Sequence, residues 1–173
     1  MKVRRWLVVV SMLILCGCQS SNSKTKHQPQ ILRTCLAGDL LSLDPRKGVN
    51  MSSQGVVRML FMGLARLDEE LNPRLELAES YRVSNNHTTY EFTIKECYWS
   101  DGSPITAYDF EHTWNAALPP MYASPNTNLF FHLKNGRKAF LGKVSIDTVG
   151  VKAKDDKTLI INLELPNPNF LNV

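Results

Sequence analysis

Four cysteines and four histidines have the widest chemical range of any side chains in this sequence, and their spacing decides how much of it they keep. His27, His87, His112 and His132 lie far apart, and no His-Glu-x-x-His pair is present, so no catalytic zinc is expected. Cys35 and Cys97 stand outside any Cys-x-x-Cys or His-spaced array, which argues against a structural zinc. They are expected to be two separate, mostly buried thiols, although an exported compartment would permit a bridge between them. Cys97, beside Tyr98 and Trp99, fits a small apolar filler better than a nucleophile. Neither a Gly-x-Ser-x-Gly elbow nor a glycine-rich phosphate loop occurs. No catalytic residue, metal ligand or cofactor is expected, and the chain does not read as an enzyme.

One thiol keeps a chemical task. Lys2, Arg4 and Arg5 precede an apolar run from Trp6 to Leu15. A basic start, an apolar segment and small residues at its end form the pattern of a secretory leader. The run is too short to span a bilayer, which needs about 20 residues. Leu15-Cys16-Gly17-Cys18 resembles a bacterial lipobox, in which the leader is cut before the last cysteine and that thiol is lipidated. Cys16 is the poorer acceptor, because the bulky Leu15 would precede the cut. Residues 1–17 are therefore expected to be a lipoprotein signal peptide, and Cys18 the lipidation site. Export to the periplasmic face of the envelope follows, with the lipid in the outer or the inner membrane. Residues 18–30 read as a flexible tether, because Gln19–Gln30 is rich in Ser, Asn, Lys and Gln and has nothing apolar to bury.

The formal charge of +4 overstates the basicity of the exported part. Without Lys2, Arg4 and Arg5, 17 basic residues face 16 acidic ones. The basic side chains are scattered, so no nucleic-acid surface is expected.

The rest of the chain must supply a folded body, and its patterning is mixed α and β with antiparallel hairpins. Residues 31–37 read as a strand that Asp44-Pro45 stops. Ser52 or Ser53 is expected to cap a helix whose apolar face is Val56, Val57, Leu60, Phe61 and Leu64. Residues 64–68 predict a strand, 69–73 a turn and 75–80 a short helical piece. In 89–95, Tyr90, Phe92 and Ile94 alternate with polar residues, so the three large side chains share one face of a strand. Asn85-Asn86 and Ser100-Asp101-Gly102 predict turns. Thr106 with Asp109 forms a capping-box start for a helix that buries Phe110, Trp114 and Ala117 and ends before Pro119-Pro120. Helical pieces broken near Asn135-Gly136 are expected over 126–143. Two strands then follow, with Val149, Val151 and Ala153 on one and Leu159, Ile161 and Leu163 on the other. Pro166-x-Pro168-x-Phe170-Leu171 reads as the entrance to a further apolar element, as in a truncated product or a broken reading frame, with a short natural tail as the competing view.

Three segments together carry a resemblance. They are Ser42-Leu43-Asp44-Pro45; Phe61-Met62-Gly63-Leu64 followed by Leu77-Ala78-Glu79-Ser80-Tyr81; and Tyr98-Trp99-Ser100-Asp101-Gly102-Ser103-Pro104-Ile105-Thr106-Ala107-Tyr108-Asp109-Phe110. Their order and spacing resemble the family 5 extracellular solute-binding proteins, the oligopeptide- and dipeptide-binding lipoproteins of ABC importers. The resemblance implies a fragment of the type II periplasmic-binding-protein fold. Residues 31–60 would be the first strand and helix of the first ligand-binding lobe, 61–173 the accessory domain, and the second lobe would be absent. The implied partners are a peptide or similar small solute, the permease subunits of an ABC transporter, and the membrane through the N-terminal lipid.

In that family the loop after Leu-Asp-Pro faces the ligand, which makes Val49, Asn50 and Met51 the expected ligand-binding residues. With Val49 in place of an acidic residue, the loop offers no carboxylate to a peptide's ammonium group, and main-chain pairing remains. Trp99, Asp101 and Gly102 are expected to be structural, with Trp99 filling a core, and Asp44 to fix a bend. The competing reading is a surface or envelope lipoprotein fragment with an adhesive or structural role and no transport activity.

Overall fold

The computed structural model describes residues 31–47, 50–122 and 124–172. The expected leader, Cys18, the tether with His27, and Val49 lie outside these residues. Residues 31–35 belong to an N-terminal unit separate from the body that starts at Leu36, and they form no regular element. The strand expected over 31–37 is therefore not formed. A strand exists only through a ladder partner, and no strand among the described residues pairs with this stretch.

The body is built on period-two patterning. Strands β3 (Ala78–Val83), β4 (Thr89–Ile94), β5 (Val151–Ala153) and β6 (Thr158–Asn162) form one antiparallel sheet in the order β3-β4-β6-β5. Tyr90 stands opposite Ile161 and Phe92 opposite Leu159, while Val151 faces Ile161 from the other side. The alternation in β4 thus meets an equal alternation in β6, and all five of these side chains are buried. The Tyr81 and Phe92 rings stack at 5.8 Å, and Phe170 tilts onto Tyr90 at 5.1 Å. The turn between β3 and β4 is left-handed at His87 (φ 53°), not at the asparagines. Asn86 instead accepts hydrogen bonds through Oδ1 from Ser84 Oγ (2.7 Å) and Thr88 Oγ1 (2.8 Å).

The smaller hairpin pairs β1 (Ala65–Leu67) with β2 (Pro73–Leu75). The helical piece expected over 75–80 is corrected to the end of β2 and the start of β3. The amides of Glu76 and Ala78 donate to Leu64 O (2.9 and 3.2 Å), and that of Leu77 to Gly63 O (3.0 Å). These cross-chain bonds take the place of helical ones, and Leu75, Leu77 and Ala78 alone do not distinguish the two periods.

Helix α1 (Met51–Leu60) begins two or three residues earlier than expected. Its N-cap is Asn50, whose Oδ1 accepts from Ser53 N–H at 2.8 Å. Ser53 is instead fully buried. Helix α2 (Ala107–Ala117) starts as expected, with the Asp109 carboxylate accepting from Thr106 N–H (2.7 Å) and Oγ1 (3.0 Å). Ala117 is buried, and the half-buried Phe110 and Trp114 pack against the core. Glu111 reaches the edge strand β5 and accepts from Ala153 N–H (2.8 Å) and Lys152 Nζ (2.9 Å), which covers part of an otherwise open sheet edge. A 3-10 run, Thr127–His132, precedes helix α3 (Gly136–Phe140), and Asn135 between them is left-handed at φ 60°. The break expected at Asn135-Gly136 is thus present.

Gly150 sits where three segments converge. Its N–H donates to Lys134 O (2.9 Å) and its carbonyl accepts from Asn162 N–H (2.6 Å). A Cβ there would lie 2.1 Å from Asn162 O and 2.9 Å from Lys134 Cβ. Gly150→Ala is expected to destabilise the chain by about 1–3 kcal/mol, because backbone must move to admit the methyl. Denaturant unfolding read by circular dichroism checks this, and an unchanged midpoint would refute it.

Candidate functional site

The Leu-Asp-Pro segment owes its shape to one carboxylate. Asp44 accepts from its near neighbour Arg46 three times: from the backbone N–H (3.0 Å), from Nε (3.0 Å) and from the second guanidinium nitrogen (3.1 Å). The Tyr122 hydroxyl donates to Asp44 Oδ2 from the other side. Ser124 Oγ donates to Arg46 O at 2.8 Å, so the segment after α2 holds the loop at two points. The Arg46 guanidinium holds the Asp44 carboxyl well below the usual carboxylate range, and the Tyr122 hydrogen bond adds to the effect. Burial and the Asp44 hydrogen bond push the Tyr122 phenol up. Arg46 Cζ and Lys47 Nζ each lie 4.6 Å from the centre of the Tyr122 ring, within range of cation–π attraction. The expected bend at Asp44 is therefore a junction between two segments that are 78 residues apart.

Ser53 holds the other end of the loop. Its hydroxyl accepts from the N–H groups of Leu41 (3.0 Å) and Ser42 (3.4 Å). Asn50 is committed at both ends of its amide, capping α1 through Oδ1 and donating through Nδ2 to Asp39 O at 2.9 Å. Met51 is 90% exposed. Val49 is not among the described residues.

Between this loop and α2 lies a cleft of about 570 Å³. Leu43 to Arg46 form one wall, Phe61 to Gly63 another, and Asp109, Phe110, His112, Thr113 and Trp114 of α2 a third, with Trp99 at the side. Asn50 and Met51 do not line it. Trp99 departs from expectation: it does not fill the core but remains 40% exposed and faces the cleft. The turn that carries it is rigid. Trp99 N–H donates to Ser103 O (2.8 Å), Gly102 N–H donates to Trp99 O (2.9 Å), and Gly102 takes φ 89°. Asp101 accepts from Ser103 N–H (2.9 Å) and Oγ (2.7 Å), and these bonds hold its carboxyl below the ordinary range. Asp101 and Gly102 are structural, as expected, and what they position is a tryptophan face. His112 and Arg46 were not singled out for the site from sequence. His112 lies two residues from both Phe110 and Trp114, a spacing that takes it off their helix face, so the pattern gave no signal for it.

The remaining groups have little reactive chemistry. Cys35 and Cys97 are both free, but Cys35 is exposed and Cys97 half-buried, so the expectation of two mostly buried thiols is corrected. Burial pushes the Cys97 thiol up, away from the reactive thiolate. Among the described residues no group of three or more His, Cys, Asp or Glu side chains is placed to hold a metal. No described helix is long and apolar enough to cross a membrane.

Comparison with known proteins agrees with this architecture. Residues 72–173 match the profile of the bacterial extracellular solute-binding proteins, family 5 Middle. The oligopeptide-binding protein OppA of Bacillus subtilis is 35% identical over 96% of this chain and 33% of its own length. The dipeptide-binding protein DppE of the same organism is 35% identical over 91% of this chain and 29% of its own. The solved structure of the pheromone receptor PrgZ superposes with a TM-score of 0.72 at 40% identity, covering 75% of this chain and 26% of that one. Listeria monocytogenes OppA, bound to peptide, gives 0.71 at 33% identity over 73% of this chain and 25% of its own. The chain spans about a third of the length of the curated relatives it matches. The fold is that of type II periplasmic binding proteins.

The Asp44 junction has a pH signature. Its carboxyl is depressed in the folded state, so its contribution is complete above the unfolded pKa of about 3.9 and is lost as pH falls through the lowered folded value. Asp44→Asn is expected to cost about 1 kcal/mol at pH 7 and to flatten the acid limb of stability below about pH 4. Amide exchange at Arg46 and Leu41, followed by NMR against pH, should rise in the variant. Exchange identical to the parent's at neutral pH would refute the junction.

Proposed function

The chain belongs to the bacterial extracellular solute-binding proteins of family 5, and from that premise we propose that it forms part of a lipid-anchored receptor delivering peptides to an ABC importer. In this reading residues 31–60 belong to the ligand-binding lobe and 61–173 form the accessory domain. Val49, Asn50 and Met51 are ligand-binding residues of the intact receptor in this reading. The cleft beside the Asp44 loop carries the proposal, because it is open, largely apolar, and walled by a fixed tryptophan and a fixed loop. The names of the similar proteins, oligopeptide-binding, dipeptide-binding and peptide-bound, support peptide as the class of cargo.

The cleft's charges are already matched internally. Arg46 is paired with Asp44, and Asp109 caps α2. A cargo would therefore be held by shape, aromatic contact and main-chain hydrogen bonds, which suits peptides of varied sequence. Cargo binding would favour one arrangement of the intact receptor, and the permease subunits would recognise it by differential affinity.

Trp99 and Trp114 both face this cleft, so tryptophan emission reports its occupancy. Titration of the chain with mixed tri- to hexapeptides is expected to shift emission saturably, and free amino acids are not. Trp99→Ala should weaken binding about tenfold, near 1.4 kcal/mol, with the fold unchanged by circular dichroism. No saturable shift with any peptide would refute the peptide cleft. The anchor is tested separately: labelled palmitate should enter the chain when it is expressed in bacteria, and Cys18→Ala should abolish the incorporation. Labelling that survives the substitution would remove Cys18 as the lipid site.

A further inference from the structure

Between Glu111 and Asp147 the chain has no acidic residue, yet the stretch contains Lys134, Arg137, Lys138 and Lys143. The fold gathers these cations about one short helix. Arg137, Lys138 and Lys143 line a depression of about 370 Å³ beside α3, together with Leu141 and the acid Glu164. Glu164 offsets one of these cations. It accepts from Asn135 N–H at 2.9 Å and lies 3.7 Å from Lys138 Nζ. The side chains of Arg137 and Lys143 make no ion pair or hydrogen bond among the described residues. A second depression adjoins the first, sharing Phe131 and Glu164, and carries Leu165. Leu141 is 53% exposed and Leu165 73% exposed.

Uncompensated cations with projecting leucines at their border are what an anionic bilayer surface binds: phosphate oxygens meet the charges, and apolar tips enter the headgroup region. We propose that this face, centred on α3 with Leu141 and Leu165 at its border, docks onto anionic phospholipid headgroups. The proposal goes beyond peptide binding and does not depend on it, because none of these residues lines the peptide cleft.

The test uses the full chain with vesicles of phosphatidylglycerol in phosphatidylcholine, and with phosphatidylcholine alone. Three net charges are expected to give on the order of 100-fold stronger partitioning to the anionic vesicles, falling with added salt. Anionic vesicles should also protect the amides of residues 134–143 from hydrogen exchange. Arg137→Gln with Lys143→Gln should weaken anionic binding roughly 30-fold, whereas Arg137→Lys with Lys143→Arg should keep it. Both pairs are exposed surface changes, and circular dichroism confirms the fold. The proposal is overturned if the charge-removing pair binds like the parent, if the amides of 134–143 stay unprotected, or if the patch captures an acidic protein while ignoring vesicles. In the first two cases the apolar N-terminal run carries any binding seen.

Discussion

The pairing of β4 with β6 is the contact on which the rest of the body depends. Tyr90 meets Ile161 and Phe92 meets Leu159, joining segments some seventy residues apart in sequence. Closing so long a loop has an entropic cost that local structure cannot offset, so burial of large side chains on both strands must do it. Each buried aromatic or branched residue contributes about 1.5–3 kcal/mol. Once this pair forms, the loop between the strands is forced back over the sheet, and α2, the Trp99 turn and α3 are all parts of that loop. Ala107 N–H donates to Asp156 O at 2.7 Å, which ties the start of α2 to the turn just before β6. Glu111 then secures the same helix to the backbone of β5. The cleft wall made by α2 is therefore as firmly placed as the sheet itself.

The loop opposite α2 is held in a different way. It buries little apolar surface and is fixed by polar groups: Asp44 at one end, Ser53 at the other, and Tyr122 and Ser124 from a distant segment. A carboxylate that receives a two-pronged guanidinium and a phenol is strongly directional. It sets geometry better than it adds stability, because exposed ion pairs contribute little. One wall of the cleft thus rests on hydrophobic burial and the other on hydrogen bonds. The second kind of wall can be adjusted by small changes in its partners without loss of the core.

What could be read from sequence follows the same division. The strands at 89–94 and 158–162 and the cap of α2 were legible, because alternation and capping are local signals. Residues 75–80 were misread, since Leu75, Leu77 and Ala78 fit either period and only the carbonyls of Gly63 and Leu64 decide between them. The strand expected over 31–37 failed for the converse reason: its pattern was sound but it has no described strand to pair with. Trp99 was assigned to a core because tryptophan beside a tight turn usually packs inward. Its true direction depends on the Ser103 and Gly102 bonds and on where α2 lies, neither of which spacing reveals. The Asp44–Tyr122 contact was invisible in the same way, being a meeting of two polar residues far apart in the chain.

Charge is distributed unevenly over the body, and that unevenness separates two kinds of surface. Around the cleft the ions are consumed internally: Arg46 by Asp44, and Asp109 by the Thr106 cap. Around α3 the cations outnumber the acid that faces them. A cleft without spare charge places no strong demand on the charge of its contents, so discrimination there must come from shape and from hydrogen bonds to main chain. A face with spare positive charge does the opposite, because it selects by the sign of charge at long range and with little regard for shape. Were the spare cations moved to the cleft, a neutral, tryptophan-sided groove would become one that favours acidic contents. Keeping the two apart leaves contour as the main character of the cleft and charge as that of the α3 face.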